Sequence, residues 1–384
     1  MRLAVLKERR GDETRVAATP ETVKKFIALG CTVAVESGLG LHAGLTDAAY
    51  AEAGAEVSPD IATVLSGAGI VLKVRAPLGT GEGEVDELML IPRGALVIGT
   101  LGADAAAAQR FAMLGLDAVS MELLPRITRA QSMDVLSSQA NLAGYRAVIE
   151  AAFAYDKGFP MLMTAAGTIP AANVLVLGAG VAGLQAIATA RRLGGRVSAS
   201  DVRPAAKEEI KSLGAAFVGY EDEETKAAQT SGGYAKAMSP EYLAKQAEVV
   251  AVAAAKADIV ICTALVQGRR APILLNEAMV ASMKPGSVVV DLAAEAGGNC
   301  AATVPGEAIT TANGVKVLGY RNWPGRIAGA ASNLYARNLL TFLTTFWDKE
   351  AKAPVLVETD DIIKGAQITR AGAVVHPNFL PKAA

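Results

Sequence analysis

The stretch Asn173-Val174-Leu175-Val176-Leu177-Gly178-Ala179-Gly180-Val181-Ala182-Gly183 decides how this sequence folds. Residues 174–177 form an apolar run of strand length, and the residues from Val181 onward carry a helical pattern. Between them, three glycines meet three separate steric demands. Gly178 permits a tight turn, Gly180 lets the backbone approach a pyrophosphate, and Gly183 lets helix and strand pack closely. The helix N-terminus adds unpaired N–H groups and a positive dipole end for that pyrophosphate. A lone glycine motif is weak evidence. Framed by a strand and a helix, this one opens a Rossmann domain, with Gly178, Gly180, Val181, Ala182 and Gly183 as candidate cofactor contacts.

The following strand, 196–200, ends at Ser200-Asp201, about 20 residues on, where a ribose-binding acid is expected. A carboxylate there accepts bonds from both ribose hydroxyls and repels a 2′-phosphate, so the cofactor is read as NAD(H) rather than NADP(H). Arg203 is a complication, because an arginine near this position can welcome a phosphate. Behind Asp201 it is read as a flanking adenosine contact, with Val202 between them in the same contact set. Ala264 and Leu265 follow the strand 258–262 at a carboxyl end of the sheet, where cofactors are contacted. Asp291 and Glu295 follow the next strand and are either catalytic carboxylates or loop caps.

Working outward, strands at 174–177, 196–200, 216–218, 258–262, 287–292 and 315–319 supply a full Rossmann sheet. Upstream, strands at 3–7, 32–36, 70–74, 95–100 and 117–121 alternate with helices at 20–29, 47–53 and 105–114, which indicates a second parallel, doubly wound sheet. A polar, irregular stretch at 125–138 precedes a long helix at 139–155. Another long helix spans 327–347, followed by strand-like pieces at 355–358 and 373–375. The expected fold is α/β: two Rossmann-like doubly wound domains joined by long helices with an interdomain cleft. Residues 1–136 plus 328–384 form a discontinuous N-terminal α/β domain, and 137–327 form the NAD(H)-binding domain. The polar segment at about 221–246, containing Gly232-Gly233-Tyr234, is long for a connection inside a compact domain. It is either a tolerated surface insertion or a mobile lid with a glycine hinge.

Composition narrows the function classes. The 384 residues are 52% hydrophobic, enough to bury two large cores, and 37 Lys and Arg balance 38 Asp and Glu. Nothing in that balance draws the molecule to nucleic acid or anionic lipid. The charged N-terminus does not resemble a signal peptide, and the longest apolar stretch, 249–266, is broken by Lys256 and Asp258, so no membrane crossing is expected. Cys31, Cys262 and Cys300 lack metal-ligand spacing and read as buried thiols in a reducing cytosol. Two histidines exclude a His-rich metal site, and no metal is expected.

A substrate dehydrogenase needs a group that moves the substrate's proton as hydride moves. Lys7, Arg15 and Lys73 are candidates, and each is equally read as a solvated strand-end charge. The strand 95–100 runs into Leu101-Gly102-Ala103 with no titratable group at the turn. The segment Arg126-Ile127-Thr128-Arg129-Ala130-Gln131-Ser132-Met133-Asp134 is polar. Its arginine and carboxylate can pair while glutamine and serine bond a carboxamide, which orients a nicotinamide rather than protonating a substrate. The alternative is an ordinary interdomain loop.

Met121-Glu122-Leu123-Leu124-Pro125-Arg126, Ser132-Met133-Asp134, the run from Leu136 to Val148, Gly232-Gly233-Tyr234-Ala235-Lys236 and Glu295-Ala296-Gly297-Gly298-Asn299-Cys300 together carry a more specific likeness. Over essentially its whole length the chain resembles the NAD(H)-binding component (domain I, alpha-1 subunit) of proton-translocating nicotinamide nucleotide transhydrogenase. The resemblance implies direct hydride transfer between NAD(H) on this chain and NADP(H) on a partner subunit, coupled to proton movement through membrane subunits. It implies that Asp134, Arg126 and Ser137 hold the nicotinamide carboxamide, with Ile127 and Thr128 among the contacts, and that Gln131 helps bring the partner's nicotinamide alongside. It also implies that Tyr234 and Met238 close over the nucleotide, with Gly233, Gln246 and Leu265 as further contacts. A homodimer, cytoplasmic and peripheral to the inner membrane through its partner subunits, follows from the same likeness, as does a chain end where membrane helices would begin. Alanine dehydrogenases resemble the chain at Lys7-Glu8, Arg15, Lys73 and the glycine motif, and an amino-acid oxidoreductase is the alternative. Their catalytic histidine would fall near Gly102 and their catalytic aspartate at Glu295, so this chain departs at both. A non-catalytic NAD sensor is a third reading, one that has no need of the 126–134 loop.

Overall fold

Neither Leu3-Ala4-Val5-Leu6 nor Val174-Leu175-Val176-Leu177 has a polar face, so each strand needs covering on two sides. The computed structural model describes residues 1–102, 104–225, 238–266 and 268–380. It meets that need in two units, Met1–Gln139 with Gly325–Ala384, and Ala140–Pro324.

In the first unit, an eight-stranded sheet among the described residues runs Ala373–Val374, Gln367–Arg370, Asp117–Ser120, Leu96–Thr100, Ala68–Arg75, Arg2–Val5, Thr32–Glu36, Glu56–Ser58. Its six parallel strands, numbered by their place in the chain, lie in the order 3-2-1-4-5-6. Gln367–Arg370 and Ala373–Val374 add an antiparallel edge. Side chains alternate across the sheet. Leu3 and Val5 join one core with Phe26, Tyr335 and Phe342, whereas Ala4 and Leu6 join another with Phe111 and Ile368.

The second unit repeats the plan. Its strands run Ala216–Phe217, Arg196–Ser200, Asn173–Leu177, Ile259–Cys262, Val288–Asp291, Lys316–Leu318, again 3-2-1-4-5-6 and parallel, with Ala308–Thr310 antiparallel at the edge. Val174 and Val176 face one core, and Leu175 and Leu177 face the other. Strand order reverses at Asn173–Leu177, which pairs with Arg196–Ser200 on one side and Ile259–Cys262 on the other. A dinucleotide lies at such a reversal, beyond the carboxyl ends of the strands. The doubly wound character expected from the sequence is present in both units.

Several details differ from expectation. The long helix begins at Val135, not 139, because Asp134 caps it: its carboxylate accepts from the Ser137 N–H at 2.9 Å and its carbonyl from the Ser138 N–H. Residues 355–358 are not a strand; the pairing falls earlier, between Ala353–Pro354 and Trp347–Asp348. The sequence reading missed Glu56–Ser58, Ala308–Thr310, Gln367–Arg370 and a hairpin of Leu162–Thr164 with Gly167–Ile169. Among the described residues no helix is long and apolar enough to cross a membrane.

Candidate functional site

The dinucleotide turn is built by steric necessity. Gly178 has φ +97°, and a Cβ there would sit 2.7 Å from Thr263 Oγ1. A Cβ on Gly183 would lie 1.9 Å from the Gly178 carbonyl oxygen, so only glycine lets the helix Val181–Arg192 start this close to the strand. At Gly180 a Cβ would meet nothing within 4 Å; this backbone is open to a ligand. Gly180 is the N-cap, and no side chain caps the helix. Its first-turn N–H groups and dipole suit a pyrophosphate. Val181 is exposed and Ala182 follows in the same turn.

Asp201 stands at the end of the neighbouring strand. Its Oδ2 accepts from the Ala179 N–H at 2.8 Å, which fixes the carboxylate beside the turn. Arg203 adds a fork, Nε to Oδ1 at 3.0 Å and Nη2 to Oδ2 at 2.9 Å, while its backbone N–H donates to Oδ1 at 2.8 Å. The hydrogen bond to Asp201 raises the Arg203 pKa further. Val202 lies half-buried between them. An open glycine backbone, an uncapped helix start and an anchored carboxylate fit the pyrophosphate and adenosine ribose of NAD(H).

Gln246 is buried in the helix Pro240–Lys256. Its Nε2 donates to Ser200 Oγ at 2.8 Å and its Oε1 accepts from the Tyr220 N–H at 2.7 Å, so it braces the strand end that carries Asp201. Gly233 and Tyr234 lie outside the described residues. Met238 is half-buried next to Ser239, whose N–H and hydroxyl donate to Glu224 at 2.6 and 2.5 Å.

Ala264 and Leu265 are held by a residue that the sequence did not single out. The Asn299 side chain is fully buried; its Oδ1 accepts from the Ala264 N–H at 3.0 Å, and its Nδ2 donates to the Ala264 and Pro272 carbonyls at 2.9 and 2.8 Å. Asp291 holds Asn299 in turn, accepting from the Ala293, Asn299 and Cys300 N–H groups and the Thr303 hydroxyl. Of the two roles open to Asp291, loop capping is the one its contacts match. Glu295 is exposed in the 3₁₀ turn Ala294–Ala296.

In the first unit, residues 126–134 form an exposed arc on buried footings. Ala130 and Met133 enter the core, leaving Arg126, Ile127, Thr128 and Gln131 exposed. Asn338, on the helix Ala328–Thr345, holds the arc: Nδ2 donates to the Ser132 carbonyl at 2.9 Å and Oδ1 accepts from Ser138 Oγ at 2.7 Å. Ser137 Oγ donates to the Asp134 carboxylate at 2.5 Å, which aims both groups. No sequence motif pointed to Asn338.

The proton-transfer candidates are not all solvated strand-end charges. Lys7 is exposed, but Lys73 is 1% exposed, and its Nζ lies 3.2 Å from Glu87, 3.4 Å from Glu8 and 3.0 Å from the Lys7 carbonyl. Burial pushes the Glu8 carboxyl up despite Lys73. Arg15 is buried, forked onto Glu13 by two 2.8 Å bonds and bonded to Gln139 at 2.9 Å. The turn at Gly102 is not free of titratable groups either. Glu122, reaching from the next strand, accepts from the Gly102 N–H at 2.8 Å and from Ser120 Oγ at 2.5 Å, and burial raises its pKa. All three cysteines are buried and free, and among the described residues no His, Cys, Asp and Glu group could hold a metal.

Two doubly wound units, one carrying a glycine turn with an anchored ribose acid, define a dinucleotide-binding protein. Residues 147–377 match the family description "Alanine dehydrogenase/PNT, C-terminal domain", and residues 4–143 match its N-terminal domain. The chain belongs to the alanine dehydrogenase/PNT family. In Rhodospirillum rubrum, NAD(P) transhydrogenase subunit alpha is divided, and this chain is 52% identical over 379 residues to its first portion, covering 98% of each. Alanine dehydrogenase of Bacillus subtilis is 32% identical over 78% of this chain and 72% of its own. Among solved structures, a transhydrogenase from Sinorhizobium meliloti superposes with a TM-score of 0.84 at 47% identity, covering 99% of this chain and 100% of that one. An L-alanine dehydrogenase gives 0.80 at 26% identity, covering 99% and 98%.

Proposed function

We propose that this chain is the NAD(H)-binding subunit of a proton-translocating transhydrogenase, exchanging hydride directly with NADP(H) held by a partner subunit. The observation that carries the proposal is how the charged groups at the strand ends of the first unit are committed. Lys73 is spent on Glu8 and Glu87, and Arg15 on Glu13 and Gln139. Neither is placed to shuttle the proton of an amino-acid substrate. An acceptor that takes hydride without a coupled proton, namely a second nicotinamide, removes that requirement. The names borne by the Rhodospirillum rubrum and Sinorhizobium meliloti relatives support the same reading.

In this proposal the backbone at Gly178, Gly180, Val181, Ala182 and Gly183 cradles the pyrophosphate, Asp201 takes the adenosine ribose with Val202 and Arg203 flanking it, and Ala264 and Leu265 line the nicotinamide side. Gly233, Tyr234, Met238 and Gln246 complete the nucleotide contacts. Asp134, Ser137 and Arg126 orient the carboxamide, with Ile127 and Thr128 beside them. Gln131 engages the partner's nicotinamide. Bound NAD(H) supplies or accepts the hydride. The residues bind, align and exclude water. The subunit works as a homodimer in the cytoplasm, attached to the inner membrane through the partner subunits that conduct protons.

The test mixes the chain with an NADP(H)-binding partner and follows hydride exchange with an NAD analogue. Exchange that depends on both proteins is expected. Alanine-dependent NADH formation by the chain alone would overturn the assignment in favour of an amino-acid oxidoreductase.

A further inference from the structure

Asp201 and Arg203 form an unusually closed pair for a nucleotide site. Side-chain exposure is 9% for Asp201 and 17% for Arg203, and both carboxylate oxygens take part in the fork. The same carboxylate is tied to the Ala179 N–H, so it cannot turn away from the dinucleotide turn without losing a backbone bond. Arg203 is also the N-cap of the helix Pro204–Ser212, and no side chain caps that helix. A guanidinium at a helix start is equipment for a phosphate: a planar fork of donors reinforced by a positive dipole end. The neighbouring cation, Lys207, is bonded to both oxygens of Glu221.

We propose that Arg203 is a latent receptor for a 2′-phosphate, and that its pairing with Asp201 sets the choice of NAD(H) over NADP(H). This rests on the reading that the glycine turn holds NAD(H). In the native pair, a 2′-phosphate meets a carboxylate. Drawing the guanidinium onto that phosphate would strip Asp201 of its counter-charge at a nearly buried position, which is costly. NAD(H) makes no such demand. Its ribose hydroxyls donate to the carboxylate while Arg203 remains in place. Removing the charge of Asp201 but keeping an acceptor for Ala179 would free the fork for phosphate.

The experiment titrates NADH and NADPH into the wild-type chain, Asp201→Asn, Arg203→Gln and the double variant, following nucleotide fluorescence. Asp201→Asn is expected to raise NADPH affinity by about tenfold or more and to lower NADH affinity, the gain expected for one charge-assisted bidentate contact. The double variant is expected to lose that NADPH gain. Two results overturn the proposal: no NADPH gain in Asp201→Asn, or a gain that survives in the double variant, since relief of repulsion alone would then explain it. If Asp201→Asn does not fold, Arg203→Gln decides. With Asp201 stripped of its counter-charge, the preference for NADH over NADPH should widen severalfold, and an unchanged ratio overturns the proposal. Failure of the wild-type chain to bind NADH would instead overturn the function proposed above.

Discussion

A Cβ placed on Gly144 would lie 2.0 Å from the carbonyl oxygen of Ala182, so the helix Val135–Ala154 meets the helix opened by the glycine turn backbone to backbone. The contact bears on the first turn of the pyrophosphate-binding helix. Gly144→Ala cannot be absorbed by a side-chain rotation, because the obstacle is main chain. The two helices must separate, at a cost of about 1–3 kcal/mol by analogy with overpacked cores. Expected is a lower midpoint in urea together with weaker NADH binding, read by unfolding and fluorescence titration. Unchanged values for both would show that the helices part without disturbing the turn.

Burial opposes ionisation of Glu13, yet hydrogen bonds and charge from Arg15, with help from Arg75, bring its pKa down from 4.5 to about 2. A carboxyl whose folded pKa is depressed stabilises the fold above its unfolded pKa, and that stability is lost as pH falls through the folded value. The window here runs from about 4.5 down to about 2. The shift corresponds to about 3 kcal/mol. Glu13→Gln should therefore lower stability at pH 7 by about 2–4 kcal/mol, leaving Arg15 buried without its counter-charge. The gap between wild type and variant should narrow steadily on acidification through that window. Urea unfolding at pH 7 and pH 3 measures it, and a gap independent of pH would mean that Glu13 contributes by shape alone.

The fold was legible where physics acts locally. Strands such as Val174-Leu175-Val176-Leu177 declare two-sided burial by composition, and Gly178 and Gly183 declare a turn that a Cβ would obstruct at 2.7 and 1.9 Å. Glu56–Ser58 and Ala308–Thr310 are three residues each, too short to show alternation. The groups that brace the candidate site were hidden for another reason. Asn299 meets Ala264, Asn338 meets Ser132, and Glu87 meets Lys73 only after the chain has folded, and no spacing rule connects them. Glu122 escaped notice because a turn was judged by its own residues, whereas parallel strands deliver a neighbour's side chain to the same edge.

Gln131 is exposed on an arc whose footings, Ala130 and Met133, are buried and whose Ser132 carbonyl is held by Asn338. Shortening the side chain by one methylene withdraws the amide by about 1.5 Å without moving that backbone. If the amide serves to bring the second nicotinamide alongside, Gln131→Asn should slow hydride exchange by about tenfold or more while NADH affinity stays within about threefold. Stopped-flow exchange and equilibrium titration separate the two effects. Equal losses would mean that the loop merely holds nucleotide.

Asn299 offers the sharpest separation of shape from hydrogen bonding. Aspartate has nearly the same volume and keeps the acceptor for the Ala264 N–H. It replaces the two donors to the Ala264 and Pro272 carbonyls with an oxygen that repels them. The position is fully buried, so water cannot relieve the conflict, and Asn299→Asp should cost about 2–4 kcal/mol. Leu265, 52% exposed, follows directly on the clamped residue, so the loss should reach the nucleotide side of the sheet. At low temperature, with a native far-UV spectrum, the variant should bind NADH about tenfold more weakly, because both the N–H and the carbonyl of Ala264 lose their anchor. Full NADH affinity in a folded Asn299→Asp protein would sink the idea that this clamp positions Ala264 and Leu265 for the cofactor.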